Sequence, residues 1–230
     1  MTTDIDFKKH NARGAITYSQ FTMPQALAAN ENSKFKKANL DEVAPVVQML
    51  LDAAQLEKLT KHIVEVFLPE CVRRNGAGEK RDIFDAKVAA KIEQALINGA
   101  AGEWDAPPHL PVKSVYAKTL TVAPWAVATL KVTGNKGRDF DLQARVNSED
   151  ELKVPDPDIL SYPLLRPIGQ TVHELYPGAW AYATLSLAAW TMSASNYGIS
   201  AYANTIVFLE DRDRLAGTVG LDEEDVFMDE

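Results

Sequence analysis

The chain has 230 residues, 46% hydrophobic and 24% charged, the balance of one globular domain able to bury roughly 70–75% of its unfolded surface. Its one cysteine, Cys71, excludes an intrachain disulfide framework and a zinc cage of several cysteines. The net charge of −8 sits at one end: residues 215–230 hold six acids and no base, leaving 26 acids against 24 bases in the first 214.

The first 14 residues are polar and read as loose, without the apolar core of a signal peptide. No apolar run approaches the roughly 18–20 residues that span a bilayer, so the sequence predicts neither membrane insertion nor secretion but a cytoplasmic protein. Residues 16–21 alternate like a first strand, with Ile16 and Tyr18 in step, and the Asn-, Ala- and Lys-rich stretch 23–42 reads as a long loop. Residues 44–51 form a short apolar run whose early Pro45 suits an edge strand. From Ala53 the period becomes helical, with Leu56, Leu59, Ile63, Val66, Phe67 and Val72 at spacings of three and four; Pro69 is expected to kink or end this helix. A turn at 73–78 leads to a second helix from about Asp85, carrying Val88, Ile92 and Leu96 inward and stopping at Gly99.

Prolines 107, 108, 111 and 124 bound a loop with an expected strand at 112–122. Residues 126–132 and 140–146 each alternate around the turn Gly134-Asn135-Lys136-Gly137, which predicts a β-hairpin. A proline-rich connector then precedes a long strand at 179–190, a loop at 191–198 and a final strand at 199–209. The fold class is mainly β with inserted helices (α+β).

His10, His62, His109 and His173 are scattered without metal-ligand spacing and read as ordinary surface or core histidines. There is no phosphate loop, dinucleotide fingerprint or nucleophile elbow, and no recognisable acid–base pair of carboxylates. The expectation is a binding protein that is not an enzyme and has no metal or cofactor. The informative segment is GAWAYATLSLAAW, residues 178–190. A period of two places Ala179, Ala181, Ala183, Leu185 and Leu187 on one face, and Trp180, Tyr182, Thr184, Ser186 and Trp190 on the other. The first face suits a core. The second offers rings for unstacked bases, each stack being worth roughly 1–3 kcal/mol without demanding a sequence. Lys131 and Arg145 on the outward sides of the hairpin, and Lys136 and Arg138 in its turn, are candidate phosphate contacts. Lys113 and Lys118 flanking Tyr116 repeat the pattern; Lys34, Lys36 and Lys37 around Phe35, and Arg73, Arg74, Lys80 and Arg81, are further basic clusters. For any single ring, burial in the core is the competing reading.

The segments LYPGAWAYATLSLAAW (175–190), TMSASNYG, ISAYANTIVFLEDRDRLAG (199–217) and the terminal LDEEDVFMDE resemble those of phage single-stranded DNA-binding proteins with an OB-fold, the podovirus replication type and a related phage domain once of unknown function. The resemblance implies a five-stranded barrel with a helix inserted after its second strand, binding single-stranded DNA without sequence preference in replication, recombination or repair. In this chain that means one domain over 1–214 with a helical insertion at about 53–103, and a flexible tail over 215–230. It further implies a tail, here Asp222, Glu223, Glu224, Asp225, Phe227, Asp229 and Glu230, that recruits replication proteins such as a polymerase or helicase and competes with DNA for the groove. Phe227 lies three residues before the end rather than last, and a second helix and the connector at 150–175 enlarge the module. Homo-oligomerisation is left open. The alternatives are a virion or other structural protein with a β-rich body, and a nuclease-like enzyme using the carboxylates.

Overall fold

The computed structural model describes residues 6–31, 43–104, 108–145, 165–167, 177–210 and 215. The expected tail beyond Leu215, the Lys34–Lys37 cluster and most of the proline-rich connector lie outside these residues.

Strand β1 (Lys9–Gln20) begins well before the expected position. Residues 9–14 carry no apolar alternation of their own; they are extended because Lys9 to Ala15 pair with Ser186 to Trp180 of the long strand. A bulge after Ile16 restores the inward register, and Thr17 donates its hydroxyl to the Gln48 carbonyl. The stretch expected to be a loop opens as helix α1 (Met23–Glu31), anchored by buried Ala26. Strand β2 (Val46–Leu51) is interior rather than at an edge: it pairs with β1 on one side and with β4 (Ala128–Thr133) on the other. Pro45 stands just ahead of it, where its carbonyl accepts from the Gly134 N–H.

Helix α2 (Ala53–His62) starts where Asp52 caps it by accepting from the Gln55 N–H at 2.8 Å. It runs through a π-helical turn (Ile63–Phe67) into α3 (Leu68–Gly76), with Pro69 in the first turn of α3. The wider turn shifts the inward face: Leu56, Leu59, Ile63 and Phe67 are buried, Cys71 continues the row, and Val66 is left exposed. Helix α4 (Ala86–Ala100) is capped by Asp85. It buries Ile92 and Leu96 and runs past Gly99, whose missing side chain makes room for the Trp104 ring.

The expected strand at 112–122 is only a two-residue strand, β3 (Val112–Lys113), which pairs with β4. The chain then turns into helix α5 (Ala117–Leu120). The expected hairpin does not form. Strand β5 (Asp141–Arg145) pairs in parallel with β9 (Thr205–Glu210) and antiparallel with the short β6 (Leu165–Pro167), not with β4. Its connector is drawn toward the start of the sheet by Gly137 N–H to Val43 and Phe140 N–H to Phe21 carbonyl bonds. Strand β7 (Trp180–Ser193) is followed by a tight turn rather than a long loop, and the expected final strand is two, β8 (Asn196–Tyr202) and β9 (Thr205–Glu210).

Five of these strands close a ring: β1 to β2, β2 to β4, β4 to β8, β8 to β7, and β7 back to β1. The β4–β8 contact is parallel and confined to Thr133 and Tyr202; the other neighbours are antiparallel. Where β4 and β8 diverge, residues 109–113 fill the gap, with His109 bridged to Gly198 and Val112 paired with Leu130. Strand β7 is shared. Its second half runs against β8, while its first half takes β9, from which β5 and β6 extend as an annex. The inward row Ala179, Ala181, Ala183, Leu185 and Leu187 is fully buried as the alternation requires, in one continuous core with Val47, Met49, Leu130, Val132 and the helical Ile63, Phe67, Ile92 and Leu96. The helices inserted between β2 and β4 therefore share the barrel's own core.

Candidate nucleic-acid interface

The outward row of β7 divides along its length. Trp180 and Tyr182 are 6% and 9% exposed, so the expectation of an open strip of rings is corrected for these two. They form a second apolar cluster outside the barrel with Ala15, Leu50, Ala123, Ala126, Val207, Leu209 and Leu215. The cover is the segment after β3. Trp125 lies against Trp180 with centroids 5.5 Å apart, and the Arg13 guanidinium stands 5.5 Å from the Trp180 ring. Farther along, Thr184 is exposed and its hydroxyl bridges the Tyr182 hydroxyl and the Asn11 side chain, each at 3.2 Å. Thr184 thus has surface partners, while the two large rings are framework.

Trp190 is half-buried on the same row. Its indole N–H donates to the Ser200 hydroxyl at 3.1 Å, and one ring face stacks on His109, with centroids 5.6 Å apart. The His109 contact depends on Gly198: a Cβ at that position would run into the His109 carbonyl, so only glycine lets the 109–113 segment lie against β8. Along that segment Leu110 and Val112 pack on the core, His109 is exposed and Lys113 half-exposed. Four residues carry the chain from His109 to Lys113, no more than about 14 Å when extended.

At the Lys113 end the Nζ donates to the Tyr116 hydroxyl at 3.2 Å and sits 5.1 Å from the Tyr116 ring centre. Tyr116 is 44% exposed. Exposed Lys131 of β4 donates its backbone N–H to Pro111 at 2.8 Å and faces outward between buried Leu130 and Val132. Lys118 follows on α5. The structure therefore brings together Trp190, Lys113, Tyr116, Lys118 and Lys131 from the expected set, and adds His109, which sequence reasoning set aside as an ordinary histidine. No local spacing could have found it, because Trp190 and Gly198, far along the chain, fix its position. Lys136 and Arg138 are exposed in the β4–β5 connector. Arg145 lies on β5, in the annex rather than beside Lys131 in a hairpin.

The basic cluster near α3 also divides. Arg73 is held by Glu70 through bonds of 2.6 and 2.7 Å, and Arg74 by Glu79. The Arg73 guanidinium draws the Glu70 carboxyl below its ordinary range. Lys80 and Arg81 are exposed and make no ion pair among the described residues. No cluster of three metal-ligating side chains occurs among the described residues, and no described helix is long and apolar enough to cross a membrane. Burial pushes the Cys71 thiol up to about 12, an inert core thiol rather than a nucleophile.

The ring order first, second, third, fifth, fourth and back to first, with the third and fifth strands parallel, is that of an OB-fold barrel, a class whose outer face and loops often serve oligonucleotides or oligosaccharides. No protein-family model matches the sequence, and no curated protein matches it. Among solved structures, the chain is similar to the single-stranded DNA-binding protein from bacteriophage Enc34 (TM-score 0.49, 12% identity, 95% of this chain and 89% of that one). It is also similar to that protein in complex with ssDNA (0.47, 11%, 90% and 89%). A third is gp2.5, a single-stranded DNA-binding protein encoded by bacteriophage T7 (0.42, 10%, 91% and 95%). The chain's own strand order and closure define the fold.

Proposed function

We propose that the chain binds single-stranded DNA without sequence preference along the outer face of the barrel, from Trp190 and His109 past Lys131 to Lys113, Tyr116 and Lys118. The observation that supports this most is the juxtaposition, along one gap-filling segment, of two exposed ring systems with unburied cations between them. Rings accept the π-faces of any base, and lysines meet phosphates without reading sequence. Lys136 and Arg138 supply further cations at the edge of this surface. Trp180 and Tyr182 act beneath the covering segment, holding the strands that present it.

The acidic residues Asp222 to Asp225, Asp229 and Glu230, with Phe227, compete with DNA for these cations and recruit replication proteins in the host cytoplasm, where the protein coats DNA and performs no chemistry. Binding of labelled oligo(dT) at rising salt tests the reading. Affinity falls steeply between low and moderate salt if phosphates carry it, and a salt-independent affinity overturns it. Deleting residues 218–230 tightens binding; weaker binding makes the tail part of the site instead.

A further inference from the structure

Beside Trp190, on the side away from the Lys131 track, the connector between α3 and α4 and the last part of β7 enclose a groove of about 590 Å³. Its walls include Lys80, Arg81, Asp82, Phe84, Val88 and Trp190. The groove is large enough for a nucleotide-sized ligand.

Its charges are unequal in what they are left to do. Asp82 is committed twice: it pairs with Lys8, and its other oxygen accepts the Ala189 N–H at 3.2 Å. Asp85 is committed to the Val88 N–H as the cap of α4. Lys80 and Arg81, in contrast, are exposed at the rim with no ion-pair or hydrogen-bond partner among the described residues. The acids build the wall and the bases are left facing the opening.

The wall is fixed in place. Phe84 is 2% exposed, and its N–H bonds to the Cys71 carbonyl. Asp82 holds a left-handed φ of 50°, a conformation that aspartate tolerates better than most side chains and that its two bonds over-determine. Trp190 forms the opposite side. One ring face is taken by His109, and the indole that also lines the groove has its N–H anchored on Ser200.

We propose that this groove takes one terminal nucleotide of the bound strand, with the base against the indole of Trp190 and the phosphate against Lys80 and Arg81. The proposal rests on the single-stranded DNA reading and adds to it a closed end: a strand lying on the barrel's outer face finishes in a pocket instead of running on over open surface.

The test uses the full chain and oligo(dT) of graded length, carrying 2-aminopurine at the 5′ end in one series and at the 3′ end in the other. One series, not both, shows quenching that disappears in Trp190→Leu and persists in Trp190→Phe. The double variant Lys80→Ser, Arg81→Ser alters two exposed side chains and keeps the wild-type unfolding midpoint. It lowers the salt slope by about 0.7, as the loss of one phosphate contact on a single strand requires, and the length at which affinity levels off shortens by about one nucleotide. Equal quenching at both ends or at neither, or a double variant with the wild-type slope and length dependence, overturns the groove while leaving the binding reading intact. A wild-type chain that binds none of the oligonucleotides overturns both.

Discussion

His109 and Trp190 stack at 29° between ring planes, although one belongs to a loop between helices and strands and the other to the longest strand of the fold. Gly198 underlies the contact, bridged to His109 and cross-strand from Trp190. Gly198→Ala places a methyl group against the His109 carbonyl. The substitution is expected to destabilise the protein by about 1–3 kcal/mol, the usual cost of overpacking. Urea unfolding measures that loss, and oligo(dT) affinity of the folded protein falls with it because the ring pair is displaced.

Lys113 and Lys131 carry phosphate contacts in the proposed track. The variant Lys113→Ala, Lys131→Ala lowers the slope of log affinity against log salt by about 1.4, at roughly 0.7 per contact on single strands. Tyr116→Ala removes a stacking platform and weakens binding by about 1–3 kcal/mol, roughly 5- to 150-fold. Fluorescence anisotropy over a salt series separates the two effects, since loss of the ring leaves the slope in place.

Trp180 and its neighbour Trp125 should separate in their consequences. Trp180→Ala opens a cavity beneath the covering segment and costs about 3–5 kcal/mol of stability. Trp125 is 38% exposed, so Trp125→Ala costs much less. Chemical denaturation of both variants checks the order. A Trp180→Ala protein of wild-type stability would show that the ring is not part of the framework.

Acid stability depends on His10. Burial first, and then the nearby charges of His62 and Lys58, push its imidazole down to about 4. The two rings lie 5.0 Å apart, and burial also lowers His62 despite its bond to the Phe7 carbonyl. The unfolded chain takes up a proton near the ordinary 6.5 while the folded chain resists until about 4. Stability contributed by the neutral ring is thus complete above pH 6.5 and drains away as the pH falls through that interval. Unfolding midpoints measured from pH 7 to 4 should decline in the wild type and decline less in His10→Phe.

The inward face of β7 was legible because alanine and leucine recur at every second position, and nothing but a sheet with a buried side uses that spacing so consistently. Helices α2 and α4 were legible in apolar spacings of three and four from Ala53 and from about Asp85, whereas α1 and α5 fell where a loop and a strand were expected. What failed was partner choice. Residues 126–146 have the alternation and turn of a hairpin, yet β4 and β5 each find better neighbours far along the chain. The fate of Trp180 was equally non-local: the alternation placed it outward, and only the fold brings residues 115–126 across it. The polar start of β1 became a strand through its register with β7, a cause absent from its own composition.

Strand β7 is common property of the barrel and the annex, giving its first half to β1 and β9 and its second to β8. A backbone with two owners couples their melting. Amide exchange should therefore find the slowest protons of both sheets opening as a single cooperative unit, so that damage to the annex loosens the ring on the far side of the molecule.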